Sequence, residues 1–176
     1  MDRGLVVVSG SPGAGKSSLA VPLAAALGFA LVSKDRIKES LHDGLAGPAE
    51  PDLAWSQRLG AASMELLWAL AADAPAVVVE ANFRPRHEYQ RGRLAALAAG
   101  RAAVEVHCAC PPEIAVRRYN ERGPGTHPVH VIRSLPLPAM AEYDGPVGIG
   151  SLVTVDTSVP VDAGAVAAVV LLRLAA

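Results

Sequence analysis

Residues 10–17 read Gly-Ser-Pro-Gly-Ala-Gly-Lys-Ser and satisfy the pattern G-x-x-x-x-G-K-[ST]. The apolar run Leu5–Ser9 comes directly before them, and a helix-forming run, Lys16–Leu27, follows and ends at Gly28. This order of strand, glycine-rich turn and helix lets backbone N–H groups surround a β-phosphate at a helix N-terminus. The stretch therefore predicts a nucleotide-binding phosphate loop (P-loop). Its expected nucleotide contacts are Gly10, Ser11, Pro12, Gly13, Ala14, Gly15, Lys16, Ser17 and Ser18.

Within this loop two residues have predicted chemical roles beyond shaping the backbone. Lys16 is expected to bridge the β- and γ-phosphate oxygens and to take part in catalysis. The Ser17 hydroxyl is expected to bind Mg²⁺. Binding a nucleotide does not by itself name a reaction, because motors, switches, transporters and kinases all use this loop. The rest of the chain must decide among them.

Short β-branched runs alternate with longer helical patterns along the whole chain, which predicts an α/β protein with a mainly parallel five-stranded sheet. The fold class expected is the three-layer α/β/α fold of P-loop nucleoside triphosphatases. The predicted strands are Leu5–Ser9, Phe29–Ser33, Ala76–Glu80, Ala103–Cys108 and Leu152–Val155. The predicted helices are Lys16–Leu27, Asp35–Leu45, Leu53–Ala72, His87–Ala99, Glu113–Arg122 and Asp162–Leu174.

One stretch has no regular pattern: residues 123–150 are dense in Gly, Pro, His and Arg, with a helical turn or two near Leu137–Tyr143. An irregular segment of this length inside a compact domain is often a functional lid, although a plain surface loop is the alternative. The length of 176 residues predicts a single domain, residues 1–176, that includes this lid.

Composition narrows the class of protein. The net charge is −1, and hydrophobic residues make up 51% of the chain. This charge makes a long nucleic acid an unlikely partner. Cys108 and Cys110 imply no disulfide framework, and the apolar run Ala163–Ala176 is shorter than the ~18–20 residues that span a bilayer. We therefore expect a soluble cytoplasmic protein with no membrane partner. The oligomeric state is not readable.

Acidic residues follow two of the predicted strands, at the sheet edge where such folds place ligands. Asp35 follows the second strand, where it can accept the proton of an incoming hydroxyl, although Asp is also a favoured helix N-cap. Glu80 ends the third strand, where it can hold Mg²⁺ through water or face an acceptor. Asn82, Phe83 and Arg84 then lie on a loop expected to face the acceptor. Phe83 either walls that cleft or packs in the core.

Arginines stand where the predicted lid begins. Arg118 and Arg122 are four residues apart, so a helix would place them on one face, with Arg133 next along the lid. Such arginines can neutralise charge that develops on a transferred phosphoryl group. The alternative is an ordinary helix end, where arginine suits the helix dipole.

Together, the P-loop, the segment Ser33-Lys34-Asp35-Arg36, the strand ending in Glu80 and the arginine-bearing lid resemble the small P-loop kinases. The chain is most similar to the AAA-type predicted kinases, a group that resembles chloramphenicol phosphotransferase, zeta toxin and the polynucleotide 5′-kinase domain. The resemblance implies that Asp35 is the acceptor-activating base and that Lys38 contacts the acceptor. It also implies that Arg118, Arg122 and Arg133 contact the nucleotide, with Arg118 and Arg122 in catalysis.

The predicted function is therefore transfer of the γ-phosphoryl group of Mg²⁺-bound ATP, or GTP, to a hydroxyl of a small molecule such as an antibiotic or metabolite. Two alternatives stay open. One is a polynucleotide 5′-hydroxyl kinase, which the near-neutral charge disfavours. The other is a nucleotide-binding ATPase or switch without an acceptor, although the guanine-reading N-K-x-D pattern is absent from the sequence. The identity of the acceptor is not readable.

Overall fold

The computed structural model describes residues 4–122 and 125–176. In these residues a five-stranded sheet has the order β2-β3-β1-β4-β5, and every strand pair is parallel. The predicted mainly parallel α/β sheet is thus confirmed, and the strand bounds differ from the prediction by one residue at most at either end. The strands are β1 (Gly4–Ser9), β2 (Ala30–Ser33), β3 (Ala76–Glu80), β4 (Ala102–Ala109) and β5 (Ser151–Asp156).

Helices cover both faces of the sheet, which makes three layers. Leu5 and Val7 of β1 point into a core with residues of α3 and α4, whereas Val6 and Val8 point into a second core with residues of α1 and α6. A parallel strand buried on both faces needs a continuous apolar run, and β1 supplies one. The helices are α1 (Lys16–Leu27), α2 (Lys34–Gly44), α3 (Leu53–Asp73), α4 (Glu88–Ala98), α5 (Pro112–Asn120) and α6 (Ala163–Leu174).

The start of α2 corrects the prediction for that helix. It begins at Lys34, and Ser33 occupies the N-cap position, so Asp35 lies inside the first turn and is not the cap. The Ser33 hydroxyl makes no capping hydrogen bond, because it donates to Glu80. Asp35 therefore does not have the capping role that was the alternative to catalysis.

Within residues 125–150, Leu137–Tyr143 form a 3₁₀ helix, as the sequence indicated. Gly123 and Pro124, the first two residues of the predicted lid, lie outside the described residues. The segment is held at Val129, Val147 and Ile149, whose side chains are buried. No helix in residues 4–122 and 125–176 is long and apolar enough to cross a membrane.

The register of the sheet positions the site. Ser33 pairs with Glu80 across β2 and β3, and Glu80 pairs with Val8 of β1. The carboxyl ends of these three strands therefore lie side by side, with the P-loop leaving β1 at the same edge. Open parallel sheets bind their ligands at this edge.

Candidate nucleotide and acceptor site

Glycine is required in the P-loop because the loop passes close to other backbone atoms. Gly13 has φ 80°, and a Cβ on it would lie 2.1 Å from the carbonyl oxygen of Ala115 in α5. Gly10 has φ 136°, and its Cβ would lie 2.8 Å from the Cys108 carbonyl oxygen. Both positive φ values suit glycine. The N-terminal half of the loop thus packs closely against α5 and β4, and these contacts fix its backbone conformation.

Lys16 extends over this loop. Its side chain is buried, and Nζ donates a hydrogen bond to the Ser11 carbonyl oxygen at 2.7 Å. Burial lowers the pKa of Lys16 to about 8, although the negative charges of Glu80 and Asp35 oppose the shift. An anion bound in the loop would stabilise the charged form of this lysine.

Glu80 lies between the P-loop and β2. Ser17 Oγ donates to Glu80 Oε1 at 3.2 Å, and Ser33 Oγ donates to Oε2 at 2.6 Å. The carboxylate is 3% exposed. A serine hydroxyl beside a carboxylate supplies the hard oxygen atoms that Mg²⁺ prefers.

Asp35 faces the P-loop from the first turn of α2. Lys34 Nζ forms an ion pair with Asp35 Oδ1 at 2.8 Å. Burial raises the pKa of Asp35, but Lys34, His130 and Lys16 together outweigh that effect, so its pKa is below the usual value. The carboxylate is therefore ionised at neutral pH.

A small cavity of about 60 Å³ brings together three of the four residues predicted to be catalytic, Lys16, Asp35 and Arg122, but Arg118 does not line it. Its walls include two residues of the P-loop, Lys16 and Ser17, and three side chains from elsewhere, Asp35, Glu80 and Arg122. Asn82, which was predicted to contact the acceptor, also lines it. Separate segments of the chain thus meet at the point where a γ-phosphate on the P-loop would lie.

A groove of about 520 Å³ lies on the α1 side of the P-loop and contains Arg118 and Arg122. Arg118 donates to the carbonyl oxygens of Thr157 and Ser158, at 2.7 and 2.9 Å. Its guanidinium therefore fixes the loop after β5, which forms the far wall of the groove. Arg122 lies beyond the end of α5, so the two arginines do not share a helix as predicted, yet both line the groove.

A larger cavity, about 450 Å³, opens on the opposite side of Asp35. Lys38 and Asn82, both predicted to contact an acceptor, line it together with Asp35. Arg133, predicted to contact the nucleotide, lines this cavity and not the groove. The cavity walls include further residues that the sequence did not single out as site residues, namely Ser56, Tyr119, Asn120, His130 and Tyr143.

Two residues predicted to contact an acceptor lie elsewhere. Phe83 is 1% exposed and stacks on Trp68, with ring centroids 5.8 Å apart. Packing is therefore the correct interpretation of Phe83, and its assignment to the acceptor is wrong. Arg84 Nε pairs with Glu142 Oε2 at 3.2 Å, and its guanidinium lies 5.6 Å from the Tyr143 ring centroid. Arg84 thus joins the loop after β3 to the 3₁₀ helix without lining the cavity.

Segment 125–150 closes over the larger cavity through contacts with α2 and α3. His130 Nε2 lies 2.9 Å from Glu39 Oε1, and His127 Nε2 lies 3.1 Å from Asp43 Oδ1. Ser56 Oγ donates to the Val129 carbonyl oxygen at 2.7 Å. These long-range contacts have no local sequence signal, which is why the sequence did not identify Ser56 or His130 as part of the site.

A family model described as an AAA domain matches residues 5–135, from β1 into the segment that covers the larger cavity. This chain belongs to the AAA domain family. The matched region includes every residue that lines the small cavity. A comparison with curated proteins found no match.

Solved structures show the same fold as this AAA domain protein. A protein from Chloroflexus aurantiacus, whose kinase assignment is itself provisional, has a TM-score of 0.81 and 29% identity, over 99% of this chain and 100% of that one. Shikimate kinase from Acinetobacter baumannii has a TM-score of 0.63 and 16% identity, over 96% and 90%. The APS kinase of Mycobacterium tuberculosis has a TM-score of 0.61 and 19% identity, over 99% of each chain. The resemblance to small P-loop kinases is thus confirmed.

Proposed function

We propose that this AAA domain protein transfers the γ-phosphoryl group of ATP to a hydroxyl of a small molecule, with Asp35 as the base. The observation that carries the proposal is the small cavity. It joins the P-loop lysine and serine to a carboxylate, Asp35, that also faces the larger cavity. An ATPase or switch without an acceptor has no use for a second cavity that opens onto the γ-phosphate position.

The nucleotide is proposed to lie with its phosphates on residues 10–18 and its base in the groove. Arg118 holds the loop of residues 157–158 that walls this groove, so it shapes the base site. Arg122 lines the groove and both cavities, which supports a role for its charge beside the transferred group. A cation at that position stabilises the negative charge of the transition state. Adding unlabelled GTP to a transfer assay with γ-labelled ATP tests whether GTP competes as the phosphoryl donor.

The transfer itself forms one bond and breaks another. The acceptor oxygen bonds to the γ-phosphorus, the bond from that phosphorus to the β–γ bridging oxygen breaks, and ADP leaves with the electron pair. Asp35 accepts the hydroxyl proton. Since the pKa of Asp35 is held below its usual value, it is ionised and oriented before the reaction. A loose phosphoryl-transfer transition state demands orientation of the nucleophile more than early deprotonation, which suits such a base.

Mg²⁺ fits the oxygen donors of Ser17 and Glu80 at the edge of the small cavity. When bound, it would neutralise charge on the β- and γ-phosphate oxygens. Because the Glu80 carboxylate bonds to Ser17 and Ser33, we propose that Glu80 serves the metal and not the acceptor. Ser33 orients the Glu80 carboxylate toward the loop.

The test is Asp35→Asn, assayed with γ-labelled ATP and a panel of hydroxylated compounds that includes a 5′-hydroxyl oligonucleotide. Loss of the base should lower transfer about 10²–10⁴-fold. Affinity for a non-hydrolysable ATP analogue should not fall, because Asp35 does not line the groove and the change removes a negative charge beside the γ-phosphate position. Asp73→Asn makes the same change at an exposed site at the end of α3, before β3 begins, and should leave both unchanged. Undiminished transfer by the Asp35 variant would show that another group is the base. Labelling of the oligonucleotide alone would favour a polynucleotide kinase.

A further inference from the structure

A third cavity, of about 350 Å³, lies beside the P-loop between the end of β4 and the 3₁₀ helix. We call it the β4 cavity, and the residues that line it include Ser11, His107, Glu113, Met140 and Asp144. Among the described residues, it shares none with the groove or the small cavity, and it shares only Tyr143 with the larger cavity. The proposed phosphoryl transfer therefore leaves this cavity without a role.

Hydrogen bonds fix which nitrogen of the His107 ring carries the proton. Ser9 and His107 are neighbours in the register of β1 and β4, and Ser9 Oγ lies 3.0 Å from His107 Nδ1. The one hydroxyl proton of Ser9 is donated to the Glu105 carboxylate. Nδ1 must therefore carry a proton and donate it to Ser9 Oγ. Since burial lowers the pKa of His107, the ring is neutral at pH 7, and its other nitrogen, Nε2, holds a lone pair.

Nε2 of His107 is a hydrogen-bond acceptor that a ligand can reach. His107 lines the β4 cavity, and no donor in residues 4–122 and 125–176 bonds to its Nε2. A neutral imidazole whose Nδ1 already donates can only accept at its second nitrogen. The chain of bonds from Glu105 through Ser9 thus makes His107 an acceptor toward the cavity and not a donor.

The charges around the β4 cavity favour the same kind of ligand. Two exposed carboxylates, Glu113 and Asp144, line it, whereas no lysine or arginine does so among the described residues. Burial lowers the pKa of His107, and the charge of Asp144 opposes that shift, so this carboxylate lies near the ring. The 3₁₀ helix adds apolar surface through Leu137 and the buried Met140. The cavity therefore combines an apolar wall with negative charge and an uncharged acceptor.

We propose that the β4 cavity binds a small organic cation, a protonated amine attached to an apolar group. Its ammonium donates to His107 Nε2 and pairs with Asp144, while the apolar group packs against the 3₁₀ helix. An ammonium group has donors and no acceptor, so it matches this set of partners, whereas an anion would be repelled by the two carboxylates. The inference goes beyond the proposed phosphotransferase function and does not depend on it.

The first experiment compares benzylamine, which is protonated at pH 7, with benzyl alcohol, which has nearly the same shape and no charge. Each is titrated by calorimetry at constant ionic strength into protein saturated with Mg²⁺ and a non-hydrolysable ATP analogue, which occupies the P-loop. The wild type should bind benzylamine about tenfold more tightly, because hydrogen bonds with a charged donor are about twice as strong as neutral ones. Equal affinity for the two compounds, or no binding of benzylamine, overturns the proposal.

Three variants locate the amine. Asp144→Asn should weaken benzylamine binding about threefold, as expected for an exposed charge pair, and leave benzyl alcohol binding unchanged. Asp73→Asn makes the same change at the exposed end of α3 and should alter neither affinity. Asp35→Asn removes the carboxylate of the larger cavity and should also have no effect. Unchanged benzylamine affinity in the Asp144 variant, or a loss in the Asp35 variant, would place the amine elsewhere and refute this site.

The second experiment detects the proton on His107 directly. In a long-range proton–nitrogen NMR spectrum of the free protein at pH 7, assigned with His107→Gln, Nδ1 should carry the proton. Benzylamine should shift the Nε2 resonance of His107 but not the resonances of His87, which is exposed on the loop before α4. A proton on Nε2 in the free protein, or an unmoved His107 resonance at saturating benzylamine, contradicts the proposal.

Ser9→Ala tests the chain of bonds behind His107. Without the Ser9 oxygen, nothing holds the proton on Nδ1, so the form with the proton on Nε2 should appear in the spectrum and benzylamine binding should weaken about threefold. Binding of benzyl alcohol should not change, which separates loss of the acceptor from a general loss of structure. Ser9 is buried, so this variant is also checked by circular dichroism. The exposed Asp144 variant should fold normally and keeps the proposal testable if Ser9→Ala does not fold.

Discussion

Glu105 is a buried carboxylate in the middle of β4, and replacing it with glutamine should destabilise the whole domain. It is 1% exposed, and its two oxygens accept four hydrogen bonds. Oε1 accepts from the Ser9 hydroxyl and from the Val147 N–H at 2.8 Å. Oε2 accepts from the Gly148 N–H at 2.8 Å and the Ile149 N–H at 3.3 Å. Glu105 thus fixes the chain that returns from segment 125–150 to β5.

The size of the effect follows from what an amide can still accept. If the amide nitrogen of the Glu105→Gln variant took the Oε2 position, two backbone N–H groups would face a donor. If the amide nitrogen took the Oε1 position instead, the Ser9 hydroxyl and the Val147 N–H would lose their acceptor. Ser9 can turn its hydroxyl toward His107 Nδ1, 3.0 Å away, so only the Val147 N–H would stay unpaired. Burial lowers the pKa of His107, so the neutral ring can accept this bond at pH 7. One unpaired buried N–H and the loss of charge from the two remaining bonds should cost about 2–4 kcal/mol.

Urea unfolding monitored by circular dichroism measures this cost. Glu105→Gln should lower the unfolding midpoint without changing the slope, and should lower Tm by about 5–15 °C for a domain of this size. Glu113→Gln makes the same change at an exposed position in the first turn of α5 and serves as the control. A loss below about 0.5 kcal/mol for Glu105→Gln, the range of ordinary surface changes, would refute the assignment of this carboxylate as the anchor of residues 147–149.

Two further predictions concern the P-loop. The pKa of Lys16 is about 8 in the free protein, and bound phosphate should raise it. Nucleotide binding near pH 9 should therefore take up about one proton, and nucleotide affinity should fall as pH rises above 8. Calorimetry in buffers of different ionisation enthalpy measures the uptake, and zero uptake would contradict a lowered pKa for this lysine in the free protein. Gly13→Ala should abolish binding of the ATP analogue, since its Cβ would overlap the Ala115 carbonyl oxygen. The control is Gly28→Ala, where φ is 67° and the space is open; this variant should bind the analogue normally and lose about 1–2 kcal/mol of stability. Normal binding by the Gly13 variant would show that the loop does not need its contact with α5.

The parts of the molecule that the sequence predicted well depend on local chemistry. The P-loop is encoded in eight consecutive residues, and the apolar runs of the strands are recognisable without knowledge of their neighbours. Asp35 and Glu80 were predictable because each directly follows or ends a strand, and parallel strands place such residues at one edge. Their roles were supplied by the resemblance to small P-loop kinases and remain proposals.

The parts that it missed depend on contacts between distant segments. Ser56 lies on α3, whose sequence indicates only an amphipathic helix. Its hydroxyl donates to the carbonyl oxygen of Val129, 73 residues away, and no local sequence pattern indicates this contact. Arg133 was predicted to contact the nucleotide because it follows the other lid arginines in sequence, and its position in the wall of the larger cavity depends on how segment 125–150 folds. Phe83 lies between two polar residues of an apparent site loop, yet its ring stacks on Trp68 in the core.

The proposed donor and acceptor halves of the site should respond differently to substitution. The proposed donor half is centred on one continuous loop whose glycines pack against α5 and β4, so most substitutions there should disturb phosphate binding itself. The proposed acceptor half combines side chains from α2, α3, the end of α5 and residues 125–150. Lys38 lines the larger cavity but neither the small cavity nor the groove. A change at Lys38 should therefore alter which acceptor is used while nucleotide affinity stays the same, and titration of a non-hydrolysable ATP analogue into wild type and Lys38→Met measures this.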